Sequence, residues 1–333
     1  MDEILRGLLM NIPTIGLVVL IAISIYLLGR GADYLVDQAI VLSILWKIPE
    51  TIIGATVVSL GTTIPEVTVS LMASLRGNTD LALGNAVGSI ITNTSLILGL
   101  VAYLGGLSVD RKIMKGQGRI LVLLALGLTV LALPAVTGGV ISSGMGFLLL
   151  LILLIHIGSS IISSRGEGEA SNYIESDAKA SSILVQIAKL MLGVAVVVIS
   201  SKILIPSVEI TAQRVGIPNS VIAATLVAFG TSVPELITSV MAVRKGHGSL
   251  ALGNIVGANI LNILFVVGLS AAVSSQGLLV PAIYLRLQIP IMLLAVVSLY
   301  LLSMNKSGRM GRQSGSILLL IYLIYLILNY FLA

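Results

Sequence analysis

Two glutamates, Glu66 and Glu235, lie in the middle of long apolar stretches, and each directly follows a proline. An ionisable side chain at the centre of a membrane helix costs about 2.5–3.5 kcal/mol on insertion scales, so it usually serves a function. The preceding residues repeat as well, because Gly-Thr-Thr-Ile-Pro ends before Glu66 and Gly-Thr-Ser-Val-Pro ends before Glu235. Proline has no N–H and leaves a backbone carbonyl one turn earlier without its usual donor. The motif therefore predicts exposed carbonyls, two hydroxyls and a carboxylate within about two helical turns.

These candidate ligands are all oxygen atoms, which points to a hard cation. Ca²⁺ takes 6–8 oxygens at about 2.3–2.6 Å, and two bidentate carboxylates with nearby carbonyls would supply most of them. Na⁺ would suit the same carbonyls and hydroxyls. Zinc and copper prefer His or Cys, whereas the chain has no cysteine, and its two histidines, His156 and His247, lie away from the motifs.

A second repeated stretch follows each motif and adds further oxygens. Ser89 and Asn93 are four residues apart and so share one helix face, and Asn262 is the counterpart of Asn93. Asn85 and Asn254 each follow a glycine, and we expect them to end a half-helix rather than to bind an ion.

The two motif regions form one internal repeat. Residues 55–100 and 224–269 align without a gap at a constant offset of 169 and are identical at nearly half of the positions. A repeat at fixed offset indicates duplicated structural units. Two acidic residues at equivalent positions therefore predict one shared site.

The composition predicts an all-α polytopic membrane protein, because 57% of the residues are hydrophobic, only 10% are charged and the mean hydropathy is +1.11. Ten transmembrane helices are predicted at residues 12–45, 51–75, 81–104, 119–135, 140–163, 183–210, 220–243, 250–272, 280–302 and 314–331. The charged segment 164–182 divides a first five-helix half, 1–163, from a second, 183–333. Five spans separate the repeats, so the second copy enters the membrane from the opposite side, as in many secondary transporters.

The positions of Lys and Arg predict the orientation. Twelve of them fall in or near the loops after the odd-numbered spans and four on the opposite side. By the positive-inside rule, the 164–182 loop is cytoplasmic and both termini are outside. We therefore expect a multi-pass protein of the cell membrane in contact with lipid.

Together these motifs resemble the cation/Ca²⁺ exchanger superfamily, specifically its prokaryotic sodium/calcium exchanger-like branch. The resemblance rests on Gly61–Asn93 and Gly230–Asn262 and extends to ten spans with a central loop. It implies a Ca²⁺ site made by Glu66 and Glu235 with the carbonyls of Thr62 and Thr231. The implied ligands of the flanking and middle sites are the Ser59 carbonyl, Thr62, Thr63 and Ser89 on one side, the Ala228 carbonyl, Thr231 and Ser232 on the other, and Asn93 and Asn262 in the middle.

One departure concerns a flanking site. Ala258 stands where this family usually has serine, so one flanking Na⁺ site lacks a hydroxyl. The resemblance leaves open whether Na⁺ binds more weakly there or whether a proton replaces one Na⁺.

The sequence thus predicts a secondary antiporter that exchanges Ca²⁺ for Na⁺ by alternating access at a midplane site. A Ca²⁺/H⁺ antiporter on the same scaffold is the alternative, because two facing carboxylates in a low dielectric compete for protons as well. A cation channel would need a continuous pore. We expect no enzymatic activity, cofactor, nucleic-acid binding or obligate protein partner.

Overall fold

The computed structural model describes residues 2–163, 183–216 and 230–332. In these ranges eight helices are long and apolar enough to cross a membrane. They are α2 (Thr14–Trp46), α5 (Thr79–Leu104), α6 (Arg111–Ala132), α7 (Ser143–Ser163), α8 (Ile183–Arg214), α10 (Gly248–Val273), α11 (Tyr284–Ser303) and α12 (Arg312–Leu332). The pair α3 (Glu50–Thr62) and α4 (Ile64–Leu75) gives a ninth candidate span. The shorter helices in these ranges are α1 (Asp2–Met10), a single turn at Pro134–Thr137 and α9 (Val233–Arg244). The prediction of a helical polytopic membrane protein is confirmed.

The described helices agree with the predicted spans to within a few residues, with one exception. The fourth span was predicted from residue 119, but α6 begins at Arg111. The side chain of Asp110 explains the difference, because its Oδ1 accepts hydrogen bonds from the N–H groups of Lys112 and Ile113, at 2.9 and 3.1 Å. The linker 164–182, Ala228 and the first half of the predicted seventh span lie outside the described residues.

The helices that carry the two motifs break at equivalent points. α3 and α4 are bent by 47° around Thr63, and Pro65 lies in the first turn of α4, where its missing N–H removes no helix bond. Ser232 has nearly the same backbone angles as Thr63 (φ −88°, ψ 8° against φ −78°, ψ −1°), and α9 begins directly after it. Each motif proline thus lies in the first turn of the helix that starts after Thr63 or Ser232.

α2 and α8 lie against each other along much of their length. They have 33 and 32 residues, whereas about 20 residues are enough to cross the hydrocarbon core. Glycine permits the close approach: a Cβ at Gly31 would lie 2.7 Å from Val196 Cγ1, and one at Gly193 would lie 3.0 Å from Leu35 Cβ.

α5 and α10 form the centre of the molecule. They are the most enclosed of the candidate spans, with 78% and 83% of their apolar windows buried. α10 touches α3 backbone to backbone, because a Cβ at Gly253 or Gly257 would collide with the carbonyl oxygen of Thr51 or Ala55. The motif helices are therefore held directly against the most buried helices.

Four two-residue strands add short antiparallel pairs to the helical fold. β1 (Leu107–Ser108) pairs with β4 (Arg309–Met310), and β2 (Val140–Ile141) pairs with β3 (Leu278–Leu279). Each pair joins a connection in the first part of the chain to one in the last part.

The N-terminal helix α1 is attached to α8. Arg6 forms an ion pair with Glu209 at 2.9 Å, and Arg214 donates hydrogen bonds of 2.7 Å to the carbonyls of Met10 and Ile12. The second contact satisfies carbonyls at the C-terminal end of α1, which have no partner within the helix.

Candidate cation site

The two motifs contact each other through crossed hydrogen bonds. The Thr63 hydroxyl donates to Glu235 Oε1 at 3.4 Å, and the Ser232 hydroxyl donates to Glu66 Oε1 at 3.3 Å. These two contacts are equivalent under the offset of 169 residues. The structure therefore brings both glutamates and both helix breaks to one place.

A second crossed pair involves the asparagines. Thr62 donates to Asn254 Oδ1 at 3.3 Å, and Thr231 donates to Asn85 Oδ1 at 3.2 Å. The amide of Asn85 also donates to the Glu66 carbonyl at 3.1 Å. Our expectation that Asn85 and Asn254 end half-helices is wrong, because α5 and α10 continue through them. Their side chains instead position the motif threonines.

Both glutamates are fully buried and carry unsatisfied oxygens. Each has 0% exposure, and within the described residues Oε2 of Glu66 and Oε2 of Glu235 have no hydrogen-bond partner. The same holds for Ser89 Oγ and for the side-chain oxygens of Asn93 and Asn262. Buried polar atoms without partners are rare, since each costs about 1–3 kcal/mol. A cation among these oxygens would satisfy them.

The remaining predicted ligands lie on the same helices. Ser59 is buried in α3, and its carbonyl accepts the Thr63 N–H at 2.9 Å. Asn93 and Asn262 lie at the starts of wider π-helical turns inside α5 and α10, a feature often found at functional sites. Ala258 is fully buried in α10 and offers no side-chain oxygen. Ala228 lies outside the described residues.

A cavity of about 230 Å³ reaches one face of the site. We call it the α8 cavity. One wall comes from the motifs and the other from α8 and α1, and its lining residues are Pro65, Thr68, Val69, Gly230, Thr231, Lys202, Ile205, Pro206, Glu209, Leu5 and Arg6. It is a candidate route between one surface of the molecule and the motif threonines.

The candidate ligands of the site are oxygen atoms, and only two of the side chains that carry them are acidic. No group of three or more His, Asp and Glu side chains that could hold a metal occurs among the described residues. Two carboxylates surrounded by hydroxyls, amides and carbonyls can balance one divalent or two monovalent cations. Such oxygen donors fit hard ions such as Ca²⁺ and Na⁺.

The sequence reasoning missed the positioning role of the two asparagines. A signal was present, because Gly-Asn recurs at the same offset as the glutamates. It also missed Ser70, whose hydroxyl accepts a hydrogen bond from the Asn85 amide at 2.9 Å and donates one to the Ala82 carbonyl at 3.1 Å. Ser239 is its identical counterpart in the second copy.

Comparisons with known proteins identify the family of the chain. The family model described as sodium/calcium exchanger protein matches residues 16–161 and 185–331. Inner membrane protein YrbG of Escherichia coli K12 is 34% identical over 320 residues, covering 94% of this chain and 97% of that protein. Sodium/calcium exchanger MaX1 of Methanosarcina acetivorans is 29% identical, covering 94% and 98%.

A solved structure shares the fold as well. The sodium-calcium exchanger NCX_Mj, soaked with 10 mM Na⁺ and no Ca²⁺, superposes with a TM-score of 0.81 at 28% identity, covering 94% of this chain and 98% of that one. The two named exchangers are transporters rather than enzymes, and the family match and the apolar helices make this chain a multi-pass membrane protein. The chain belongs to the sodium/calcium exchanger protein family, in the prokaryotic branch of the cation/Ca²⁺ exchanger superfamily.

Proposed function

We propose that the protein is an antiporter that exchanges Ca²⁺ for Na⁺ at the site between the two motifs. The crossed contacts of Glu66 and Glu235 carry this proposal, because they place two buried carboxylates with unsatisfied oxygens at the meeting point of two broken helices. Exchangers named for sodium and calcium among the relatives support the choice of ions.

The proposed Ca²⁺ ligands are the two glutamates with the carbonyls of Thr62 and Thr231. The proposed Na⁺ ligands flank this Ca²⁺ site. On one side they are the Ser59 carbonyl, Thr62, Thr63 and Ser89, and on the other side the Ala228 carbonyl, Thr231 and Ser232. Asn93 and Asn262 lie between the two groups. When ionised, the carboxylates carry a charge of about −2, which one Ca²⁺ or two Na⁺ neutralise. The empty, doubly charged site would be costly to move past apolar gates, so exchange is favoured over leak.

We propose further that the chain forms ten spans as two inverted halves, 1–163 and 183–333, joined by the 164–182 linker. The strand pairs support this count, because paired strands lie on the same side of a membrane and must be separated by an even number of crossings. Ten spans give six crossings from β1 to β4 and four from β2 to β3. The close contact of α2 and α8 makes them the pair that moves against the other helices during alternating access.

The orientation that we propose follows from the basic loops. The linker and the C-terminal end of α9 face the cytoplasm, and the α8 cavity and both termini face outward. A reporter fused to the C-terminus should then give an extracytoplasmic signal. A cytoplasmic signal would overturn this orientation.

The test of ion coupling is ⁴⁵Ca²⁺ uptake by Na⁺-loaded proteoliposomes diluted into Na⁺-free buffer. Uptake should require the Na⁺ gradient, and Glu66→Gln or Glu235→Gln should abolish it while the protein still folds. Asp80→Asn is the matched control, because Asp80 is an exposed acid on α5 away from the site. Normal uptake by either glutamine variant would refute the site.

The same vesicles separate the two rival functions. Uptake driven by a pH gradient alone, and indifferent to Na⁺, would establish Ca²⁺/H⁺ exchange instead. Discrete single-channel currents in planar bilayers would establish a channel. The broken helices favour a carrier over both a pore and a purely structural protein.

A further inference from the structure

The two halves of the molecule are arranged differently around the site. α2 and α8 are equivalent under the 169-residue offset, as are α4 and α9. α9 packs closely along α2, whereas α4 makes few contacts with α8. The α8 cavity lies where α4 and α8 are apart. In contrast, Val36, Thr62 and Thr238, the equivalents of cavity residues Ile205, Thr231 and Val69, are at most 1% exposed. The structure is thus open on the α8 side and closed on the α2 side.

A single lysine fastens the closed side. Lys245, directly after α9, places Nζ 2.8 Å from Asp33 Oδ1 and 2.6 Å from Asp37 Oδ1, and it donates to the Asp33 carbonyl at 3.1 Å. Both aspartates are on α2. Burial alone would lower the pKa of Lys245, but hydrogen bonds and charge from Asp33 and Asp37 raise it above the usual value. The lysine therefore stays charged in this contact.

The equivalent positions on the other half have the wrong charges for such a contact. Under the offset, Arg76 corresponds to Lys245, whereas Lys202 corresponds to Asp33 and Pro206 to Asp37. The register is supported by the glycines that follow the two basic residues, because Gly77 and Gly246 both have positive φ, 76° and 87°. If α4 closed onto α8 as α9 closes onto α2, Arg76 would approach a lysine and a proline.

We propose that the contact of Lys245 with Asp33 and Asp37 is a one-sided latch, which favours the conformation open on the α8 side over its inverted counterpart. The asymmetry has two parts: an attractive contact holds the present state, and like charges at positions 76 and 202 oppose the other. The latch rests on the proposed alternating access, and it sets how often the site opens on the α2 side. Lys245 acts as a positioning residue, since it does not touch the candidate ion site.

The test uses thiol labelling, because the chain has no cysteine and accepts single reporters directly. Val69→Cys reports the open α8 side, Thr238→Cys reports its equivalent on the closed side, and Ala125→Cys reports the core of α6, which is 0% exposed. The purified protein in nanodiscs is labelled with a small hydrophilic maleimide in Na⁺ buffer. Both faces are then accessible, so the result does not depend on orientation.

The key variant is Lys245→Met, which keeps the length of the side chain and removes its charge. Because partly exposed ion pairs are individually weak, losing two of them should raise the labelling rate of Thr238→Cys roughly twofold to thirtyfold. Lys202→Asp, which offers Arg76 an acid, should raise the same rate from the opposite side. Lys306→Met is the control, because Lys306 is an exposed loop residue, and it should change nothing.

Three results would overturn the latch: an unchanged Thr238→Cys rate in Lys245→Met, an unchanged or lower rate in Lys202→Asp, or an equal rise at Ala125→Cys, which would indicate general loosening. Failure of the proposed function has a different signature. Thr238→Cys labelling would then be the same in Na⁺, in Ca²⁺ and without either ion in the otherwise unaltered protein, and Na⁺-driven uptake would be absent.

Discussion

Substitution of Gly257 by alanine tests whether the contact between α10 and α3 sets the geometry of the site. The added Cβ would lie 2.5 Å from Ala55 Cα and 2.6 Å from Ala55 C, and it would collide with the carbonyl oxygen as well. Ordinary contact begins near 3.4 Å. Because both neighbours are backbone, the helices must separate by roughly 1 Å in a close-packed interior.

The expected cost follows from that displacement. Overpacking of this kind costs about 1–3 kcal/mol, which corresponds to a factor of roughly 5–150 in an equilibrium or rate. α3 carries Ser59 and Thr62, so the shift reaches the candidate ligands directly. We expect Gly257→Ala to lower the maximal rate of Na⁺-driven ⁴⁵Ca²⁺ uptake at least fivefold and to lower the melting temperature measured in detergent.

The matched control is Gly127→Ala on α6, where an added Cβ meets nothing among the described residues within 4 Å and the residue is exposed. This variant should keep both the uptake rate and the melting temperature, since alanine is the better helix former. Wild-type uptake by Gly257→Ala, or an equal loss in Gly127→Ala, would refute the assignment of this helix contact to the site.

Three further substitutions test individual side chains. Thr63→Val keeps the shape of the side chain but removes the hydroxyl that donates to Glu235. Because hydrogen bonds to charged groups contribute about 1.5–3 kcal/mol, the Ca²⁺ concentration for half-maximal uptake should rise roughly tenfold or more. Ala258→Ser supplies the missing hydroxyl and should lower the Na⁺ concentration for half-maximal exchange roughly threefold, whereas an unchanged Na⁺ dependence would remove this position from the ligand set. Asn85→Leu removes three hydrogen bonds that include Thr231 and should reduce uptake more than the conservative Asn85→Gln, and equal activity of the two would argue against positioning by the amide.

The central features of the site could be predicted because they are local and duplicated. The apolar surroundings of Glu66 and Glu235 made them conspicuous, and the proline before each predicted a break that the structure shows at Thr63 and Ser232. The fixed offset then predicted that the two copies would meet, and the crossed hydrogen bonds between the motifs show that they are in contact.

The features that escaped prediction depend on contacts between distant residues. A Gly-Asn pair resembles a helix end, but the hydrogen bond from Thr231 to Asn85, across 146 positions, keeps the amide inside a continuous helix. The ion pairs of Asp33 and Asp37 with Lys245 were not predicted, because nothing near these aspartates in sequence indicates them. The start of α6 was placed too late because one capping side chain extends the helix through charged residues.

The paired strands have a mechanical consequence. β1 and β4 join the turn between α5 and α6 to the turn between α11 and α12, and β2 and β3 join the turns flanked by α6, α7, α10 and α11. Six helices from both ends of the chain are thus fastened into a single frame, and none of the described strands belongs to a turn next to α2 or α8. Sliding of those two helices can therefore leave the frame undisturbed. Their displacement would be a rigid-body movement of one helix pair along a fixed six-helix scaffold, without a general rearrangement of the membrane domain.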